Sequence, residues 1–439
     1  MNPRKLAWAL ILLAFLSKVS LSFTGLVPTS LGYLLFQGGL HPYLNVLFNL
    51  SIGFFLIVAL RGARGEVALL QGYRKPYVFF ALGTMAILWV QHLLQIVAGF
   101  DEAGFFLVVV TMMCTSFLIY IFGLVIPRLV PPAEFVKGVA IICSVICSVS
   151  VLLLLAGIPG LYKGSRFIGI LKHIPYMVTC GTVGFLFTLH LWNPSMRLRH
   201  HFLILVAQLF NFYALVLTGT RSALFAVLAG SFVYFVTLKV PSPTFRTARV
   251  LIVWIVLVGG ALFGTMAYDF TRDLMTGKTA IGSRAPQDGV SDRMDEVYRG
   301  LEMLEKSPWF GLGLLSKFSV GDGDGDDVVD SYNSFQDPHN LFISSAVVGG
   351  YPFGFWVMFG FGLGLLGCAL AILKGPPGIH VLGVYLLSHL PILAIYHMHL
   401  SLGGMADRLY WLVFGYLGLT WAILPQKDSV RIPETPVKT

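Results

Sequence analysis

The feature that most constrains this chain is the length of its apolar runs. Stretches of about 20 residues, the length a helix needs to cross a bilayer, recur with few charged side chains, and residues 104–127 contain none. Hydrocarbon offers the backbone no hydrogen-bond partner, so only helices and closed barrels span a membrane. The runs are continuous and helix-length, not ten-residue alternations, which excludes a barrel. Composition agrees: 56% of the 439 residues are hydrophobic and 12% charged, against about a quarter charged in a soluble domain.

The runs predict an all-α polytopic membrane protein with about twelve spans, at 6–26, 43–60, 77–99, 104–127, 135–157, 175–192, 201–219, 221–239, 250–268, 350–373, 379–397 and 405–424. The stretch 28–42 reads as a re-entrant or interfacial piece. Arg4 and Lys5 before the first run could open a signal peptide, but no small-x-small cleavage site follows, so this segment is expected to be the first permanent helix. The organisation that follows is spans 1–9 within 1–268, a long polar loop at 269–339, spans 10–12 within 340–424 and a tail at 425–439.

Basic residues in short loops stay on the cytoplasmic side. With the N-terminus inside, Arg61, Arg64, Arg74, Lys75, Arg128, Arg197, Arg199, Lys239, Arg246, Arg249 and Lys374 fall on that side, and the tail adds Lys427, Arg431 and Lys438. The opposite short loops hold only Lys163, Arg166, Lys172 and Arg221. Both termini are therefore expected in the cytoplasm and the long loop outside, and the formal charge of +9 reads as a topology signal with no call for nucleic acid. The five cysteines all lie inside apolar runs and read as small core residues. Cys143 and Cys147 stand one helical turn apart without a His or acidic neighbour, so no metal pair is expected there.

The outer basic residues are the informative ones, because the topology rule should have removed them. Arg221, in Thr218-Gly-Thr-Arg-Ser-Ala-Leu, opens the eighth span, where free N–H groups and the positive end of the helix dipole face outward. A forked guanidinium there suits a phosphate or diphosphate; an arginine snorkelling to headgroups is the plainer reading. Arg166 stands in Gly-Ser-Arg-Phe-Ile-Gly beside Lys163, Lys172 and His173, either a basic site or simple lipid contact. Arg293 and Arg299 lie in Ser-Asp-Arg-Met-Asp-Glu-Val-Tyr-Arg, where Met294, Val297, Leu301 and Leu304 space out an amphipathic helix ending at Lys306-Ser-Pro. That pair could equally bridge Asp295 and Glu302.

In Asp337-Pro-His-Asn-Leu-Phe, Asp337 is the expected cap and Pro338 the first helical residue, which sets His339 in the first turn. The helix dipole favours neutral imidazole there, a usable general base; a lone histidine is also commonly structural. The acidic run 321–327 resembles a calcium loop, but counting from Asp322 the sixth position is Asp327, not Gly, and the twelfth is Asn333, not Glu. It reads as a solvated loop.

Taken in order, the basic loop with Arg166, Thr-Gly-Thr-Arg-Ser-Ala-Leu, the arginine-bearing helix closing on Pro308-Trp-Phe-Gly-Leu-Gly, His339-Asn340-Leu-Phe and Val347-Val-Gly-Gly-Tyr-Pro-Phe-Gly resemble the bacterial O-antigen ligase and polymerase superfamily, and the ligases in particular. The resemblance covers mainly 160–360. It implies a fold of the lipid-carrier glycosyltransferase (GT-C) type, and transfer of a glycan from undecaprenyl diphosphate to the lipid A core oligosaccharide at the periplasmic face of the inner membrane. The implied reaction inverts the anomeric centre and uses no metal or cofactor. It also implies His339 as the base and Arg166, Arg221 and Arg293 as diphosphate ligands, with Arg299, Lys163, Lys172 and Asn340 as further candidates. Many relatives carry Asn or Asn-Pro shortly after the first arginine, where this chain has Lys172-His173-Ile174-Pro175. The nearest rival is a polymerase using the same donor. A transporter is a rival of another class, but transporters place their charges at mid-membrane, and here mid-span charges are few, essentially Lys18 near one end.

Overall fold

The structure is a computed structural model, and it describes residues 2–16, 18–19, 51, 54, 57–58, 72–97, 105–163, 166–171, 174–192, 197–238, 290–312, 340–395 and 405–419. The expected second span falls almost wholly outside these residues, and the ninth span, the stretch 28–42 and the tail fall entirely outside.

The described chain is mostly helical: α1 Pro3–Leu16, α2 Lys75–Val97, α3 Phe105–Tyr120, a π-helical stretch Ile121–Val125, α4 Ile126–Leu129, α5 Pro132–Leu155, α6 Ile174–His190, α7 Leu198–Leu217, α8 Arg221–Thr237, α9 Val290–Lys306, α10 Leu341–Lys374, α11 Pro377–Ile395 and α12 Met405–Gly418. Among the described residues, five helical segments are long and apolar enough to cross a membrane, which makes this a helical membrane protein.

Three expectations are corrected. The first helix ends at Leu16 and not at 26, and Val19 instead forms a bridge with Leu171. The tenth span begins at Leu341, nine residues before the expected 350, because Asn340 caps it: its side chain accepts from Phe342 N (3.0 Å) and Ile343 N (3.2 Å). The fold is also not purely helical, since Tyr162–Lys163 (β1) and Arg166–Phe167 (β2) pair as an antiparallel hairpin, with Tyr162 opposite Phe167 and Lys163 opposite Arg166.

The helices bury one large apolar core, and a small separate cluster lies under α9. Apolar packing between helices gains little over lipid tails, so close approach and a few polar bonds carry the specificity. Asn211 in α7 donates to Ser144 in α5 (2.9 Å), and Trp356 in α10 donates to Thr84 in α2 (2.9 Å). An aromatic cluster joins α2, α10 and α12: Phe80 stacks on Trp356 (5.7 Å) and on Trp411 (5.8 Å).

The register of α8, α10 and α11 defines two ends of the bundle. Thr237, at the end of α8, hydrogen-bonds His380 (2.8 Å) at the start of α11, and Gly230 faces Ser388, so the two helices run antiparallel. Since α10 ends at Lys374, only two residues before α11, its long segment after Gly350 runs parallel to α8, and the Gly349–Gly350 region lies toward the end of the bundle where α8 starts. At about 1.5 Å per residue, Arg221 stands about 24 Å from Thr237 along α8. Arg4 and Glu134, which form an ion pair, and Arg74, whose N–H donates to Gly418 O (2.8 Å), lie at the α10–α11 turn end; Arg166 lies at the α8 start.

Candidate functional site

The site is built on a tight turn between α7 and α8. Gly219 takes the left-handed conformation (φ 66°) that glycine adopts without a Cβ penalty, and the chain reverses through Thr218-Gly-Thr220 to enter α8 at Arg221, the position expected from sequence. Thr218 Oγ1 donates back to Leu215 O (2.7 Å) and accepts from Thr220 N (3.3 Å), which stiffens the turn. Thr220 is the cap residue, yet its side chain bonds no N–H of α8.

Its hydroxyl accepts from Arg166 Nη2 instead (3.2 Å), while Arg166 Nε donates to Thr218 O (3.2 Å). The β1–β2 hairpin makes this reach possible. Phe167 is fully buried and rests edge-on against Tyr162 (5.5 Å), and Ile170 N donates to Ser150 Oγ (3.1 Å), tying the hairpin's exit to α5. A guanidinium carries five N–H donors, and two are used here. Among the described residues the others take no hydrogen bond, so they can serve a ligand beside a helix start whose first N–H groups have no side-chain cap. The arrangement fits a phosphate or diphosphate, which wants forked donors and the positive end of a helix together.

The hairpin register sets Lys163 directly across from Arg166, and Arg221 is the first residue of α8. These three basic residues therefore converge in the backbone. Lys172 and His339 lie outside the described residues, as does the acidic run 321–327. Arg293 and Arg299 both fall on α9, as the sequence predicts. The packed face of that helix differs from the expected stripe: Met303 and Leu304 are buried against Leu312, Ala346 and Val347, while Leu301 is 40% exposed. The reason is that α9 docks through its last turn, so the residues facing α10 there are set by the Ser307–Leu312 connection.

That docking is tight. α10 breaks at Gly349 and Gly350 (φ 72°, ψ 178°), and the groups freed by the break pair with the segment after α9. Leu312 N donates to Val347 O (2.7 Å), and Tyr351 N donates to Pro308 O (2.7 Å). Gly311 and Gly350 touch backbone to backbone, and a Cβ on either would strike the opposing main chain. The arginine-bearing helix is thereby fastened to α10 at the end of the bundle that holds Arg166 and Arg221. Neither glycine motif carries a local signal that the two meet.

The cap of α10 is Asn340, which corrects Asp337; Pro338 lies outside the described residues. Lys18 stands out in the sequence as a charge inside a run, but not as a member of this site. Its ammonium sits over the Tyr176 ring (5.5 Å), and the neighbouring Val19 pairs with Leu171, so α1 delivers a cation beside the basic loop. The signal available was the abrupt polarity of Ser17-Lys18 inside an apolar run.

Residues 203–372 match the family model described as O-antigen ligase, a family of ligases and related polymerases that are glycosyltransferase-like and use lipid-linked glycans. The matched stretch runs from α7 into α10 and includes Arg221, Arg293, Arg299, His339 and Asn340, while Arg166 lies before it. No curated protein matches the chain at a significant level. The family match over residues 203–372, carried on a bundle of membrane helices, supports a likeness of this chain to the O-antigen ligase superfamily.

Proposed function

We propose that this protein is an O-antigen ligase that moves the glycan from undecaprenyl diphosphate onto the lipid A core, at the periplasmic face of the inner membrane. Both termini are then cytoplasmic, and α9, within the loop 269–339, is at the outer end of the bundle, where Arg166 and Arg221 stand. The observation that carries the reading is the anchoring of Arg166 on Thr218 and Thr220, next to the first residue of α8.

In the reaction, an acceptor hydroxyl of the core attacks the anomeric carbon of the glycan from the face opposite the diphosphate. The new C–O bond forms as the bond to the diphosphate oxygen breaks, the anomeric centre inverts, and undecaprenyl diphosphate leaves. Its charge is already present, so the protein's main task is fixed electrostatic stabilisation, supplied by Arg166, Arg221 and Arg293, with Lys163, Lys172 and Arg299 nearby in sequence. His339 takes the hydroxyl proton. Asn340 holds the start of α10, and so fixes where the chain leaves His339.

The deciding experiment supplies purified protein with a glycan on undecaprenyl diphosphate and with lipid A core. Glycan appearing on the core is the expected result. Extension of the glycan on the carrier with none on the core means a polymerase, and carrier crossing the bilayer without any glycosidic bond means a transporter.

A further inference from the structure

At the end of the bundle away from Arg166, α5, the last turn of α6 and the first half of α7 enclose an open groove of about 600 Å³. Ile141 and Val145 form one wall and Leu203 the other, each at least half exposed, and the hydroxyls of Ser144 and Thr188 lie along the groove. Apolar exposure is ordinary on a membrane-facing surface. What sets this groove apart is its rim.

Arg197 caps α7, and Arg199 and His200 are exposed in its first turn, which holds no acidic residue. Arg199 precedes Leu203 by four residues and Val206 by seven; His200 bears the same relation to Ile204 and Ala207. Residues at these spacings share a helix face, so both basic side chains stand above the groove on the face that lines it. His201 stacks on Trp192 (5.2 Å), and its Nδ1 is buried with no partner among the described residues. Along α7, the groove residues 203–207 lie about 6–12 Å beyond Arg199 at 1.5 Å per residue. A cationic rim that far from an apolar furrow matches the spacing of a lipid phosphate from its acyl chain, and basic clusters at helix ends are where anionic headgroups bind.

We propose that this groove binds one anionic glycerophospholipid from the leaflet opposite the Arg166 end, its phosphate on Arg197, Arg199 and His200 and one acyl chain between α5 and α7. The site is separate from the glycan-transfer reading and stands or falls without it.

The test is native mass spectrometry of the full-length protein in detergent, titrated with phosphatidylglycerol or with phosphatidylcholine of matched chains. The protein retains the anionic lipid several-fold better than the zwitterionic one. Arg197→Gln combined with Arg199→Gln brings retention of the two lipids level, whereas Arg4→Gln with Lys5→Gln, at the same end of the bundle, leaves the preference intact. Ala207→Trp, which fills the groove, lowers retention of both. Each variant is first shown to be monodisperse with unchanged helical content. Equal retention by the wild-type chain overturns the proposal, as does a preference unchanged by the double substitution. A dimer that forms on delipidation and is blocked by Ala207→Trp makes the occupant a second copy and overturns it too.

Discussion

Replacing Gly350 by alanine tests whether the fastening of α9 to α10 matters. The backbone there (φ 72°, ψ 178°) lies in a region that only glycine enters readily, so an L side chain costs about 1–3 kcal/mol of strain. The added Cβ would also strike the Trp309 carbonyl, and relief requires Pro308–Leu312 to move away from α10. That movement breaks Leu312 N to Val347 O and Tyr351 N to Pro308 O, at about 1 kcal/mol each. The sum, about 3–5 kcal/mol, shifts the docked-to-undocked ratio of α9 by at least about a hundredfold. Because the buried cluster under α9 is small and separate from the main core, the helix should release while the bundle stays folded. Gly362→Ala is the control: it sits in the same helix, and a Cβ there meets nothing. Hydrogen exchange of purified protein should show faster exchange across 290–312 in Gly350→Ala alone, with a matching loss of glycan transfer. Equal protection of α9 in the two variants would refute the argument.

Other outcomes follow from the site. Thr220→Val removes the acceptor for Arg166 Nη2 while leaving the turn's backbone bonds; transfer should fall severalfold through a raised KM for the lipid diphosphate, and an unchanged KM speaks against Arg166 as a donor ligand. Arg221→Lys should restore only part of the activity lost in Arg221→Ala, since a point charge does not replace a bidentate fork; full restoration in a transfer assay contradicts diphosphate clamping. His339→Ala should abolish transfer while donor binding persists, and near wild-type turnover excludes the base role. Asn340→Ala should cost about 1 kcal/mol through the lost cap and Asn340→Asp much less, read as thermal unfolding in detergent; equal melting of the two variants removes the cap argument.

Much of this protein is legible from sequence because the bilayer imposes a one-dimensional code. Apolar length marks the helices, and the polar Thr-Gly-Thr turn marks the entry to α8 at Arg221, where the structure begins it. The amphipathic run ending at Lys306 before Ser-Pro is likewise a local signal, and α9 ends there. Local signals failed where a distant partner decides. Both Asp337 and Asn340 are good caps by composition, and only the geometry of the α10 entrance selects Asn340. The first run continues apolar past Leu16, yet the chain turns there and Val19 pairs with Leu171.

The sequence by itself determined that lipid is the solvent, which stretches are helices, and that the few cations away from the basic loops need a reason to be there. Tertiary structure alone decided that Arg166 hangs on a turn 52 residues later in the chain, that Lys18 arrives beside the same loop, and that two glycines far apart in sequence meet backbone to backbone. The physical reason is that hydropathy and capping act over a few residues, whereas these contacts exist only once packed helices bring their ends together.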